Sequence, residues 1–336
     1  MSNFSSPSST FIPKVVKNHE DDSVVSNDFS TTLGALILSL VVLLGVPGNL
    51  FIIWSILARA RRCSVTTLLI LNLACADGFL MALTIFFIIY LAKQTWVFGD
   101  AMCKGLFYLC NANMYASIFL ITLMSVHRMV VVVLPRKVTT LVNKKVVRRV
   151  IVGTWVLVMF ISIPSLVFRD VRDDHDEKNR TRLVCAPNHT QSRFQYALET
   201  VSGFILPYAV IIISYVLILR RLRKTKFQRK VRSEKLILAI VVMFGLFWLP
   251  YHVINMIQVC VHGITHHDET PFSSRAVTSA LAFISSCANP VLYTFAAKSY
   301  IKKNGVAFMA RLFEGTSFDQ TGTKKKIRLR KKQTGI

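Results

Sequence analysis

Seven stretches of this chain are apolar almost without interruption: Phe29–Ala58, Thr66–Ala92, Gly105–His127, Val150–Phe168, Phe194–Leu219, Leu236–Val261 and Ala276–Ala297. Five of them hold no Asp, Glu, Lys or Arg, the second holds only Asp77, and the fifth only Glu199. Helices that cross a bilayer need roughly 20 such residues, and a buried soluble helix seldom runs that far without charge. The pattern predicts an all-α membrane protein, a seven-transmembrane helix bundle, because only closed hydrogen bonding within each span is tolerated in lipid. Prolines at 207, 250 and 290 fall inside the last three spans and predict kinks there.

The polar positions orient the bundle. The segments after the first, third and fifth spans and the tail after the seventh carry 30 of the 41 Lys and Arg, but only Glu234, Glu314 and Asp319 among the acids. Basic residues mark the cytosolic side, so the tail is expected inside and Met1 outside. Residues 1–32 read as an extracellular tail without a hydrophobic leader, leaving the first span as targeting signal. Residues 33–297 form the transmembrane domain. Residues 298–313 ("KSYIKKNGVAFMARLF") alternate apolar and basic positions as a short amphipathic membrane-surface helix, and 314–336 form a basic cytoplasmic tail.

Composition then changes one reading. The 336 residues carry a net charge of +24 yet are only 17% charged, with mean hydropathy +0.48. Because the basic runs flank membrane spans on one side, they serve topology and contact with membrane lipids, and nucleic acid is excluded as the partner. Sequons at Asn3, Asn179 and Asn188 fall on the expected outside as glycosylation candidates. Of the seven cysteines, Cys103 and Cys185 lie on that oxidising side and are expected to be bridged.

Polar groups inside lipid are costly and therefore candidates for function. Asp77, with Asn49, Asn113, Ser117, Ser286 and Asn289 on neighbouring spans, could form a carboxylate ringed by amides and hydroxyls. That set suits a hard monovalent cation, with Asp77 as the metal ligand and sodium as an allosteric ion; a satisfied network that joins helices explains the same residues. No other cofactor is expected. H-E-x-x-H and P-loop motifs are absent, so the chain is not expected to be an enzyme.

Asn49, "LNLACAD", Cys103 with Cys185, an arginine closing the third span, Trp155, "FWLP" and "NPVLY" follow one another, one set per helix. Over residues 30–313 this resembles the rhodopsin-like G-protein-coupled receptors. "MYASIFLITLMSVHR", "FWLPYHVIN" and "ALAFISSCANPVLY" resemble the leukotriene B4 receptor family, with "LACADG" and "TSALAFISS" leaning to its second subtype. The resemblance implies a receptor for a hydroxylated fatty acid (leukotriene B4 or a C17 hydroxy acid) at the plasma membrane. Its partners would be a heterotrimeric G protein of the inhibitory class and arrestin.

It also implies roles. Arg128 stands where the family pairs an arginine with a preceding aspartate, but His127 replaces that aspartate, so raised basal activity is expected. Tyr215, Trp248, Pro250 and Tyr293 complete the activation switch. For an acidic lipid ligand the candidates are Arg169, Arg275, Tyr115, Glu199, His252 and Asn255. Phe107 stands where the high-affinity subtype has histidine, and Arg193 is displaced by one residue from its counterpart. A chemoattractant peptide could use the same arginines, and a membrane transporter is the more distant alternative.

Overall fold

A computed structural model describes residues 28–59, 65–134, 144–175, 181–187, 189–224, 231–261 and 275–304. Seven helical rods are present among them. These are α1 (Asp28–Arg59), α2 (Val65–Lys93), α3 (Gly99–Val133), α4 (Lys144–Ile161, extended past a turn at Ser162 by Ile163–Val167), α5, α6 (Val231–Val261) and α7 (Arg275–Asn304). The rod α5 comprises His189–Thr200, a π turn at Val201–Ile205, and Leu206–Lys224. By length and composition, five of the rods, α1 to α5, can each cross a membrane, and α6 contributes the apolar stretch Val241–Ile257.

The α7 helix runs on to Asn304, beyond the expected end of the seventh span at residue 297. The rest of the expected amphipathic helix, 305–313, lies outside the described residues, as do the sequons Asn3, Asn179 and Asn188.

Each rod divides into a buried and an outward face. On α1, Leu36, Leu40, Leu43 and Leu44 are exposed while Leu38, Val41, Ile52 and Ile56 are buried. On α4 the outward face carries Val152, Val156 and Phe160, the last 71% exposed. Large apolar side chains facing outward along whole helices are the inverse of a soluble surface and fit a lipid solvent. Inside, one core joins Ile52, Leu73, Met114, Tyr115, Ile118, Ile121, Ile211, Phe244 and Trp248 from α1, α2, α3, α5 and α6.

The segment between α4 and α5 contains a hairpin that the apolar pattern does not predict. Arg169–His175 (β1) and Thr181–Pro187 (β2) pair as an antiparallel hairpin, Val171 opposite Cys185 and Asp173 opposite Leu183. Cys185 is bonded to Cys103 near the start of α3, with Cα atoms 5.7 Å apart, so the expected bridge is present. Trp96, fully buried, adds a second tie: its backbone N–H donates to the Leu183 carbonyl at 2.8 Å and its indole to the Gly99 carbonyl at 2.8 Å. The hairpin is thereby held at one end of the bundle, called the hairpin end below.

A local irregularity accompanies Pro207. Pro207 cannot donate a backbone hydrogen bond and would clash with the carbonyl four residues back in a regular α-helix. Here the π turn precedes it, and the Leu206 N–H reaches the Val201 carbonyl five residues back. Pro250 and Pro290 are inside α6 and α7.

Candidate functional site

Two buried polar clusters occupy the bundle, separated by aromatic rings. The first is built on Glu199, whose side chain α5 turns inward, 2% exposed. Its Oε1 accepts from Asn111 of α3 at 2.7 Å and from Gln195 of α5 at 2.8 Å. Its Oε2 accepts from Tyr251 of α6 at 2.9 Å and from Asn255 of α6 at 3.4 Å. Ser165 of α4 extends the cluster, accepting from Gln195 at 3.1 Å and from Asn111. A buried carboxylate is tolerable only when its lone pairs are filled, and four donors fill this one.

The other residues that the sequence proposed for a ligand lie on β1, α3, α6 and α7. Arg169 opens β1 and is 7% exposed; its Nη1 donates to the Cys185 carbonyl at 3.3 Å, and its guanidinium lies 3.5 Å over the Phe107 ring. Contact with a ring face offsets part of the cost of desolvating a guanidinium. His252 is buried, with Nδ1 3.3 Å from the Thr200 hydroxyl, and its ring stacks on Phe204 at 4.8 Å. Its Nε2 has no hydrogen-bond partner among the described residues, nor does Gln195 Oε1. Tyr115 is 1% exposed, packs against Gly203 of the π turn, and accepts a long contact from the Ser202 hydroxyl at 3.5 Å. Arg275 is the first residue of α7, but its side chain lies outside the described ones.

The rings below link α5 to α6. Phe204 stacks between His252 and Tyr208, Trp248 lies against Phe244, Tyr251 and His252, and the Trp248 indole donates to the Ser285 hydroxyl of α7 at 2.8 Å. The Tyr208 hydroxyl donates to the Val241 carbonyl at 2.6 Å.

The second cluster is the expected one around Asp77, which is fully buried. Oδ1 accepts from Ser117 at 3.1 Å and Oδ2 from Asn289 at 2.8 Å, with Asn113 and Ser286 also against the carboxylate. Asn49 donates to the carbonyls of Gly45 and Ser286 at 3.0 and 3.3 Å, tying α1 to α7. All six proposed residues are therefore close neighbours. The amide oxygens of Asn49 and Asn113 have no donor among the described residues. Oxygen acceptors without donors beside a carboxylate are the chemistry of a hard-cation ligand set, so these residues fit sodium.

At the opposite end of the bundle from the hairpin, His127 and Arg128 stand on the last turns of α3, both half-buried, and His127 Nδ1 lacks a partner among the described residues. Tyr215 packs against the core from α5. Tyr293 lies in α7 with its side chain outside the described ones.

The sequence reading missed Asn111, Ser165, Gln195, Thr200 and Tyr251. A signal existed for two of them: Asn111 is an amide inside a charge-free run, and Gln195 precedes Glu199 by four residues, on the same helix face.

Comparison with known proteins agrees with this architecture. The profile of the 7 transmembrane receptor (rhodopsin family) matches residues 48–293. Leukotriene B4 receptor 1 of Homo sapiens is 37% identical over 307 residues, 89% of this chain and 86% of that protein. Leukotriene B4 receptor 2 of Homo sapiens is 34% identical over 309 residues, 88% of this chain and 84% of that protein. The lean toward the second subtype is thus not reflected in overall identity. The C3a anaphylatoxin chemotactic receptor of Oncorhynchus mykiss is 32% identical, covering 84% of this chain and 78% of that protein. Seven helices with outward apolar faces, a bridged hairpin, a buried carboxylate cluster at mid-bundle and a family profile spanning α1 to α7 lead to one conclusion: the chain belongs to the rhodopsin family of seven-transmembrane receptors.

Proposed function

We propose that this multi-pass membrane receptor answers an acidic, hydroxylated lipid of the leukotriene B4 class. In this reading it lies in the plasma membrane with Met1 outside, and it signals through an inhibitory heterotrimeric G protein with arrestin as a further partner. The observation that carries the reading is Arg169, a cation 7% exposed at the start of the hairpin, with its guanidinium 3.5 Å over the Phe107 ring. Taking a guanidinium out of water is costly unless an anion or a ring compensates, and a carboxylate is the ligand group that a cation in such a place favours. The relatives' names support a lipid acid as that anion. Arg275 is the second cation of the set, and His252, Asn255 and Tyr115 supply polar groups along an acyl chain.

The receptor has no catalytic task in this reading. Binding energy is spent on shifting a two-state equilibrium of the bundle. Asp77 with Asn49, Asn113, Ser117, Ser286 and Asn289 would hold a sodium ion that favours one of the two states.

The test is inhibition of cAMP formation and release of calcium in cells expressing the chain. Leukotriene B4 and a C17 hydroxy fatty acid are compared, with and without pertussis toxin. A toxin-sensitive response to either lipid is the expected result. Silence to both at confirmed surface expression would overturn the lipid reading, and a response to a chemoattractant peptide instead would replace it.

A further inference from the structure

The outward face of α4 changes character along its length without changing direction. At roughly 100° per residue, Lys145, Arg149, Val152, Val156 and Phe160 fall within an arc of about 80°, and Arg148 stands about 40° from its edge. All six side chains are exposed, while Ile151 and Val158 on the other face are buried. The cations stand at the end of the bundle away from the hairpin, because α4 runs from Lys144 toward β1. We propose that this stripe binds one inner-leaflet phospholipid whose headgroup carries several phosphates, a phosphoinositide. Lys145, Arg148 and Arg149 take the phosphates, and Val152, Val156 and Phe160 take an acyl chain. The inner-leaflet assignment rests on the orientation given above, with Met1 outside, and the site does not depend on which ligand activates the receptor.

Charge, composition and length select that occupant. Residues three and four positions apart on a helix have Cβ atoms about 5–6 Å from one another, close enough for one headgroup with several phosphates to meet all three cations. A headgroup with a single net negative charge would neutralise one cation and leave the other two crowded together. No Asp or Glu occurs between Asp100 and Asp170 in the sequence, so α3 and α4 bring no acid of their own to the patch. From Arg149 to Phe160 the stripe runs roughly 16 Å, about half of a hydrocarbon core near 30 Å and thus the depth of one leaflet.

Basic residues at a cytosolic end serve topology whatever their arrangement. The end of α5 has that plainer form: Arg220, Arg221 and Arg223 are exposed there but spread over roughly 160° of the helix circumference. On α4 the three cations lie within about 100° and continue into the apolar track. A soluble protein partner would meet the end of the bundle, whereas this track runs up its side, where Phe160 is 71% exposed. A helix side turned to the bilayer meets lipid, and its cations select an anionic one. The helix is itself tied to α2, the Trp155 indole donating to the Asn72 side-chain oxygen at 3.2 Å, so a lipid held on α4 stabilises the folded bundle.

The experiment uses the purified full chain in nanodiscs of phosphatidylcholine alone, with phosphatidylinositol bisphosphate, or with phosphatidylserine at equal added charge. Bound lipid is read by native mass spectrometry and Tm is read in the discs, both without agonist. Wild type should retain the bisphosphate lipid, and its Tm should rise more with that lipid than with phosphatidylserine. Combining Lys145→Gln, Arg148→Gln and Arg149→Gln should weaken retention roughly 10- to 100-fold. Combining Arg220→Gln, Arg221→Gln and Arg223→Gln removes the same charge from α5 and should leave retention unchanged. Equal loss in the two triple variants overturns the site in favour of diffuse attraction, as does wild-type retention of phosphatidylserine as strong as that of the bisphosphate lipid. The second comparison needs no variant and decides the matter if the α4 variant fails to fold. Undiminished retention with lost G-protein activation in the α4 variant would make the patch a protein contact instead. An epitope at Met1 found inside intact cells would overturn the inner-leaflet assignment. Because no agonist is present, failure of the site is distinguishable from failure of the ligand reading.

Discussion

The hydroxyl of Tyr208 occupies the space where Gly245 lacks a side chain. From there it donates to the Val241 carbonyl, one turn before Gly245 on α6. A methyl group at position 245 would overlap the tyrosine ring and hydroxyl, so α5 and α6 meet closely only because this residue is glycine. Gly245→Ala should cost about 1–3 kcal/mol, read as a lower Tm of the purified receptor. Tyr208→Phe should cost about 1 kcal/mol. The two together should cost less than their sum, since phenylalanine removes the atom that the new methyl meets first.

The Arg169 guanidinium is expected to hold the ligand's acid group. Arg169→Ala should weaken activation by leukotriene B4 roughly 10- to 100-fold, the range of a lost charge-assisted contact. Arg169→Lys should recover only part of this, because an ammonium lacks the planar fork that binds a carboxylate through two N–H groups. Dose–response curves at matched surface expression check both. An unchanged half-maximal concentration in Arg169→Ala would move the acid-binding role elsewhere.

Sodium should act through Asp77. Replacing sodium chloride by choline chloride should change agonist potency in wild type and leave Asp77→Asn indifferent, because the amide removes the only negative ligand of the set. Competition binding in the two salts measures this, and a sodium effect that survives in Asp77→Asn would show that the ion acts at another place.

At the end of α3, a neutral His127 cannot pair with Arg128 as an aspartate would. His127→Asp should lower ligand-free signalling roughly fivefold, corresponding to about 1 kcal/mol for a partly exposed ion pair. The measurement is basal G-protein activation in cells. An unchanged baseline would make His127 a packing residue with no part in switching.

Much of the architecture could be read from the residues because lipid imposes a simple rule. Spans must be helical and apolar, so their number and approximate limits follow from where charges stop. The Asp77 cluster was legible for the same reason: in a charge-free setting each amide or hydroxyl stands out, and the six singled out are neighbours. The hairpin was not legible. In "RDVRDDH" five of the seven residues are charged or titratable besides the buried Arg169, which masks the strand pattern, while Val171, Val184, Cys185 and Ala186 pack toward the bundle. The partners of Glu199 were missed because tyrosine and glutamine are unremarkable in an apolar helix until a carboxylate is known to face them. Which oxygen each donor takes depends on side-chain geometry that no residue pattern encodes.

The π turn at Val201–Ile205 also acts as an offset in a dial. Counting back from the buried Pro207 at 3.6 residues per turn, Arg193 would sit roughly 40° from the buried direction and Glu199 about 80° away. One extra residue taken up in the turn sets the upper part of α5 back by roughly 100°, which brings Glu199 to within about 20° and carries Arg193 out to roughly 140°. Gln195 and Glu199, both within about 20° on the offset count, are buried, and Arg193 is exposed. A single wide turn thus bears on whether this helix shows the pocket an anion or a cation, and one further residue inserted there would bring Arg193 to roughly 40° from the buried direction and carry Glu199 to about 80°.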